Sequence, residues 1–392
     1  MKKKWYQWLA VGAAALCLTG ALTGCANKAS AEKTKKAAGP STVTLWAGGS
    51  DNVRESMEAI VTAFNKSENG KKYKMKLEFI MSGGGAQSLS SRLLAAKKTN
   101  QKNTKYDLIL MSDGSFSSYV KEGGKDFFTA YKESNVPNAK NVITKVSDGK
   151  GVIMPYRGTT VVLAYDSKRV PKPPKTTQEL YTWIKSHPGR FAYNTPGSGG
   201  SGSSFVQSSL YNFLPEKALS DSDPKWQKEW NKGFDLLKEL HPYLYKSGGK
   251  VVYPNKNQGT LDLLANGEVD MIPAWADMTI TNLANGGLPE TVKLTQLAPA
   301  FTGDVDCLAI PSVGSNPEGA QAVMNFMISK EGQQILLDKM AAIPVVDSST
   351  LNSENSKRLA GLDIDHFRII SIGDLGSELT AQWDRQIGTL AK

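Results

Sequence analysis

The stretch GVIMPYRGTTVVLAYDSKRVPKPPKTTQELYTW, Gly151–Trp183, decides the architecture of this 392-residue chain. It opens with two β-rich runs, Val152–Arg157 and Thr160–Tyr165, and continues through Asp166–Val170. Proline punctuation at Pro171–Pro174 then predicts a helix start, with Thr176 or Thr177 as its cap. On either side, short apolar runs alternate with longer helical patterns, the signature of an α/β fold class.

Upstream, Thr42–Trp46 reads as a strand ending in Ala47-Gly48-Gly49-Ser50. The helix that follows places Met57, Ile60, Val61 and Phe64 on one face. Met75–Ile80 is a second strand, closed by Ser82-Gly83-Gly84-Gly85, and Tyr106–Met111 a third, closed by Ser112-Asp113-Gly114. Three successive strands thus finish in small polar turns. In an open parallel sheet, ligands bind outside the carboxyl ends of the strands. Downstream, a second α/β unit runs through Phe191–Tyr193, Val251–Tyr253 and Val269–Ile272. It is followed by a strand at Cys307–Pro311, a helix from Glu318 to Leu336, the segment Ala341–Val346 and a polar, helical C-terminus.

The amino terminus sets the compartment. Met1-Lys2-Lys3-Lys4 is basic, and Trp8–Leu22 is apolar but too short and too rich in Gly and Ala for a comfortable membrane span, so it reads as a secretory signal. Leu22-Thr23-Gly24-Cys25 resembles the lipobox of bacterial lipoproteins, which implies cleavage before Cys25 and a diacylglycerol on its sulfur. Residues 1–24 are then a lipoprotein signal peptide. Residues 25–40 are a tether with almost no large apolar side chain to offset its ordering entropy. Cys17 leaves with the signal and Cys25 takes lipid, so Cys307 alone remains, and neither a disulfide nor a Cys/His metal spacing is available. The formal charge is +10. Without the signal and the tether it is about +4, carried by scattered residues, which does not describe a nucleic-acid binder.

The order of elements resembles the extracellular solute-binding proteins (family 1-like) of bacterial ABC importers. VTLWAG (43–48), YDLILMSDG (106–114), the Gly151–Trp183 stretch, ANGEVDMIPAW (265–275), AIPSVGSNPEGAQAVMNFMISKEGQQIL (309–336) and AAIPVV (341–346) carry the resemblance. It covers nearly all of Thr42 to Val346 and points to the sugar, polyamine, thiamine and iron binders. It implies a two-lobed periplasmic-binding-protein fold, type II-like, with β-strand hinge crossovers. Residues 41–156 plus 297–343 would form one lobe, and 157–296 plus 344–392 the other. It also implies a lipid-anchored monomer on the extracytoplasmic face of the cell membrane, with a small-molecule solute and ABC permease subunits as partners and no cofactor.

Gly197-Ser198-Gly199-Gly200-Ser201-Gly202 formally satisfies G-x-G-x-x-G. A dinucleotide fold would need a second strand with an acidic end about twenty residues on, and Pro215–Pro224 provides none. The turn contains no Gly-Lys-Ser/Thr. Val206, Leu210, Phe213 and Leu214 at helical spacing exclude a free linker. What remains is a turn at a helix N-terminus, with Ser203 or Ser204 as cap. It either grips ligand through exposed N–H and hydroxyl donors or serves as a cap alone.

The expected ligand-contacting residues are Trp46, Gly49, Ser50, Ser82, Gly83, Ser112, Asp113, Tyr156, Arg157, Ser198, Ser201, Ser203, Ser204, Trp275 and Asp277. Trp46 and Trp275 either stack on ligand or join the core. Arg157 either grips an anion or bridges the lobes, and Asp113, Asp277, Asp304 and Asp306 could accept from hydroxyls or amines. Gly/Ser donors with Arg157 favour an anion, the tryptophans a sugar and the aspartates an amine; a zwitterion satisfies all three. The expected ligand is therefore a sugar or a small anionic or zwitterionic organic compound. His187, His241 and His366 are isolated, and no G-x-S-x-G, H-E-x-x-H or carboxylate pair marks an enzyme. The alternatives are a lipid-anchored extracytoplasmic hydrolase and a structural surface protein.

Overall fold

The computed structural model describes residues 39–82, 87–363 and 368–391. The signal, Cys25, most of the tether, Gly83 and His366 lie outside them. Among the described residues there are nine strands: β1 Ser41–Gly49, β2 Tyr73–Met81, β3 Leu108–Ser112, β4 Ile153–Asp166, β5 Lys246–Ser247, β6 Lys250–Val251, β7 Met271–Trp275, β8 Val292–Thr295 and β9 Gly303–Ala309. Seven of them form one sheet in the order β2-β1-β3-β9-β4-β7, with β8 on the far half of β4.

β1, β2 and β3 are parallel, as the three strand–turn–helix units predict. The helix Asp51–Lys66 returns across them, burying Val53, Met57, Ile60 and Phe64 at successive turns. β9 then runs antiparallel to both β3 and β4.

The decisive stretch forms a single 14-residue strand, β4, buried along its first twelve positions. At about 3.3 Å per residue it is roughly 46 Å long, enough to serve two sheets. Its first half, Ile153–Thr160, pairs with β9; its second half pairs with β7 from Val161 and with β8 from Leu163. Hydrophobic residues divide accordingly. One large cluster is built on Val43, Leu45, Met57, Phe64, Val323 and Met340, and another on Leu163, Phe191, Phe205, Trp230, Phe234 and Trp383. β4 and β9 are the strands that pass between the two halves. Pro155 is accommodated by a register shift between Pro155 and Arg157.

Several expected boundaries move. The helix read as continuous from Glu318 to Leu336 is two, Pro317–Met327 and Lys330–Met340. Ser329 caps the second by accepting from Gly332 N, and a Cβ at Gly332 would lie 2.3 Å from the Phe326 carbonyl. Phe191–Tyr193 makes only a bridge, Phe191 to Met271, and Val251–Tyr253 contributes one residue to a short hairpin. Ala341–Val346 likewise bridges at Ile343 and Val346 without forming a strand. Thr176 caps the helix Thr177–Ser186 as expected, accepting from Glu179 N. Among the described residues no helix is long and apolar enough to cross a membrane.

Candidate functional site

Strand register assembles the centre of the site. Asp306 on β9 is paired with Ser112 on β3 and with Arg157 on β4, and Asp304 is paired with Thr159. Alternation along β9 puts Asp304 and Asp306 on one face, two residues apart. Trp275 ends β7, and Asp277 lies in the first turn of the helix Ala276–Ala284. Ser50 closes the turn after β1, and Asn52 lies in the first turn of the helix Asp51–Lys66.

Ser50, Arg157, Thr159, Trp275, Asp277, Asp304 and Asp306 line a cavity of about 230 Å³ with Gly48, Gly49, Ser82, Gly200, Asn257 and Met278. It adjoins two others. One, of about 740 Å³, shares Gly48 and Asp306 and is rich in serine, including Ser88, Ser91, Ser112, Ser115, Ser371 and Ser377. The other, of about 260 Å³, shares Ser50, Ser82, Asn257 and Met278. The three make one trough along the ends of β1, β2 and β3.

The trough is held by a charged network. Arg157 Nη1 contacts Asp277 Oδ2 at 3.2 Å and Nη2 contacts Asp306 Oδ2 at 2.6 Å. Thr159 Oγ1 donates to Asp277 Oδ1 at 3.1 Å, and Asn52 Nδ2 donates to Asp277 Oδ2 at 3.1 Å. Ser112 Oγ donates to Asp304 Oδ1 at 2.8 Å. Burial pulls the Arg157 guanidinium towards deprotonation, but Asp306, Tyr156 and Asp277 outweigh it and hold the cation. Burial raises Tyr156, keeping it a neutral phenol, and raises the Cys307 thiol in the same way. Asp306 is raised by burial and by Asp277, against the pull of Arg157. Burial, with Asp306 beside it, pushes Asp304 up to about 7.

Arg157 is thus already satisfied by two protein carboxylates, which removes the argument for an anion. Of the described residues lining the trough, Asp51, Glu55, Glu122, Asp277, Asp304, Asp306 and Asp374 are acidic, while only Arg157 and Lys256 are basic. A chain with a formal charge of +10 therefore carries an acidic cleft.

The structure brings Gly49, Ser50, Ser82, Arg157, Trp275 and Asp277 to the central cavity, Ser112 and Tyr156 to the large one, and Ser198 to the smaller flank. Trp46 lies away from all three. Its Nε1 donates to the Lys105 carbonyl, and its ring lies 5.0 Å from that of Tyr106. Asp113 is buried and accepts from the backbone N–H and hydroxyl of Ser147.

The Gly/Ser turn corrects its expected cap. Gly199, not Ser203 or Ser204, is the N-cap of the helix Gly200–Tyr211, and no side chain of its own caps it. Asn257 does so from another helix: its Oδ1 accepts from Ser201 N at 3.1 Å and lies 3.0 Å from Ser201 Oγ. Ser203 donates to the Pro196 carbonyl, and Ser204 accepts from Thr302 N. Ser201, Ser203 and Ser204 are therefore turned into the protein. The glycines serve close approach instead. A Cβ at Gly202 would lie 1.9 Å from the Asn194 carbonyl oxygen, and one at Gly200 2.8 Å from the Trp275 ring. Asn52, Thr159 and Asn257 carried no sequence signal, because each is a common polar residue in a helix or strand that reaches the trough only through tertiary packing.

A cleft at the carboxyl ends of parallel strands, crossed by β4 and β9, is the arrangement of a periplasmic binding fold. The chain belongs to the bacterial extracellular solute-binding protein family, whose model matches residues 59–362. Membership of that family makes it a solute-binding protein. It is 26% identical over 191 residues to Protein YnjB of Escherichia coli (strain K12), a match spanning 47% of this chain and about half of that protein. Three solved structures share the fold. A periplasmic thiamin binding protein has a TM-score of 0.65 and 15% identity, covering 89% of this chain and 96% of its own. A protein assigned to a spermidine/putrescine ABC transporter in Listeria monocytogenes has a TM-score of 0.64 and 16% identity, covering 88% and 98%. The apo ferric ion-binding protein A of Pasteurella haemolytica has a TM-score of 0.66 and 13% identity, covering 90% and 98%.

Proposed function

We propose that the chain captures a small organic solute bearing a positive charge, zwitterions included, and passes it to a membrane permease. The acidic trough on a basic chain carries this reading. Asp277 and Asp306 bring two negative charges to the single positive charge of Arg157, so the central cavity keeps an uncompensated carboxylate for a ligand cation. Trp275, at the same cavity, offers an aromatic face of the kind that attracts organic cations. Among the described residues no group of three His, Cys, Asp or Glu side chains is close enough to hold a metal ion, which favours an organic cation over an iron-type cargo. The thiamin and spermidine/putrescine proteins of like fold support the same class.

Capture is by closure: ligand contacts both halves only when the cleft is shut, and so shifts the population towards that state. In this reading 41–156 with 297–343 move against 157–296 with 344–392. The packing of Val345, Leu351, Leu359 and Leu362 on the first core favours extending that body to Leu362. Lipidation of Cys25 tethers the monomer to the membrane. Mass spectrometry of the membrane-extracted protein tests that point, since an unmodified Cys25 excludes it. Calorimetric titration against spermidine, thiamin, choline and betaine, with glucose and inorganic phosphate as counter-examples, tests the ligand class. Binding confined to glucose or phosphate overturns it.

A further inference from the structure

Asp304 and Asp306 face the same cavity from one strand, but their partners differ. Asp306 holds Arg157 at 2.6 Å, and the other arm of that guanidinium is taken by Asp277. No cation touches Asp304 among the described residues. Its side-chain partner is the Ser112 hydroxyl at 2.8 Å, at the end of β3. The groups around it are Asp306 and the neutral thiol of Cys307 on its own strand, Arg157 and Thr159 on β4, Ser112 at the end of β3, and Asp277 across the cavity. A third ionised carboxylate here would add to a negative charge that Arg157 does not balance until a ligand brought a further cation.

We propose that Asp304 is the residue by which the cleft reads ligand charge: it holds a proton before binding and releases it to water when an organic cation enters. The inference rests on the cation reading above. Burial and the neighbouring Asp306 push this carboxyl up to about 7, which places the exchange within the range of ordinary surroundings. A cation that replaces the proton leaves the local charge unchanged without moving Arg157, whereas a neutral sugar leaves the proton where it was. Ligand capture is thereby coupled to external pH, with tight capture in neutral surroundings and weaker capture in acid.

The test uses the mature protein and choline, whose charge does not change with pH, alongside spermidine. Calorimetry in buffers of different ionisation heat reads the proton count. Release of about one proton per cation near pH 6, and almost none near pH 8.5, is expected. Affinity should fall by close to tenfold per pH unit below about 7. D304N should bind with no proton release and a flat pH profile. S112A, which removes a hydroxyl that stabilises the ionised form, should shift the profile to higher pH. A cation that binds wild-type protein with no proton release overturns this inference and leaves the ligand class standing. Carbon-13 NMR of the Asp304 carboxyl, assigned by its loss in D304N, needs no ligand. Titration near the ordinary aspartate value of about 4 overturns the inference on its own, and titration near neutrality supports it.

Discussion

Asn52 and Asp277 meet across the trough, with the amide Nδ2 donating to Oδ2 at 3.1 Å. Asn52 belongs to the helix that follows β1 and Asp277 to the helix that follows β7, so the contact joins the two halves of the fold beside the ligand cavity. It is one of five polar side-chain contacts that converge on the Asp277 carboxylate and Arg157.

Removing it should loosen closure without unfolding either half. N52A loses one hydrogen bond to a charged group, worth about 1.5 kcal/mol, which corresponds to roughly tenfold weaker capture of a bound cation. Titration calorimetry reads the affinity, and small-angle scattering with saturating ligand should show an unchanged closed radius. An unaltered affinity would mean the contact is incidental.

Arg157 is a different case, since it is itself buried and compensates two carboxylates, the buried Asp277 and the half-buried Asp306. R157A leaves both without their cation and should destabilise the protein by about 3 kcal/mol in urea denaturation. The double variant R157A/D306N, which removes one of the stranded charges, should recover part of that loss. No recovery would indicate that packing, not charge, accounts for the effect.

Gly200 and Gly202 should separate structure from binding. G202A drives a methyl into the Asn194 carbonyl and is expected to cost 2 kcal/mol or more, on the order of other overpacked sites. G200A instead meets the edge of the Trp275 ring, at a wall of the cavity, and should weaken ligand affinity more than it lowers the melting temperature. Equal effects of the two variants on melting would contradict this.

Stability should also follow pH through Asp304. A carboxyl raised in the folded state binds its proton more tightly there than when unfolded. Its favourable contribution is therefore complete below the unfolded value of about 4 and disappears as pH rises through about 7. Its ionisation should cost the ligand-free protein on the order of 2 kcal/mol between those limits, discounting the full shift for its coupling to Asp306. D304N should unfold at higher denaturant than wild type near pH 8, and with little difference near pH 4.5. Saturating organic cation should narrow the gap at the higher pH.

Much of the scaffold was legible because its signals are local. Val43, Leu45 and the Met57–Phe64 face, the polar turns after β1 and β3 and the Thr176 cap each follow from periodicity or backbone chemistry within a few residues. The acidic centre was only partly legible. Asp277 and Arg157 stood out as candidates, but their mutual pairing did not, since 120 positions separate them in the chain.

Residue order alone determined that this is an α/β chain with successive strand–turn–helix units, and which turns would flank a cleft, because alternation and helical spacing report which side of each element must be buried. Tertiary structure decided what the cleft can hold. Charges distant along the chain interact only when strand register sets them side by side, and it was the abreast placement of Ser112, Asp306 and Arg157 that paired the Arg157 guanidinium with Asp306 and left Asp304 with a hydroxyl as its side-chain partner.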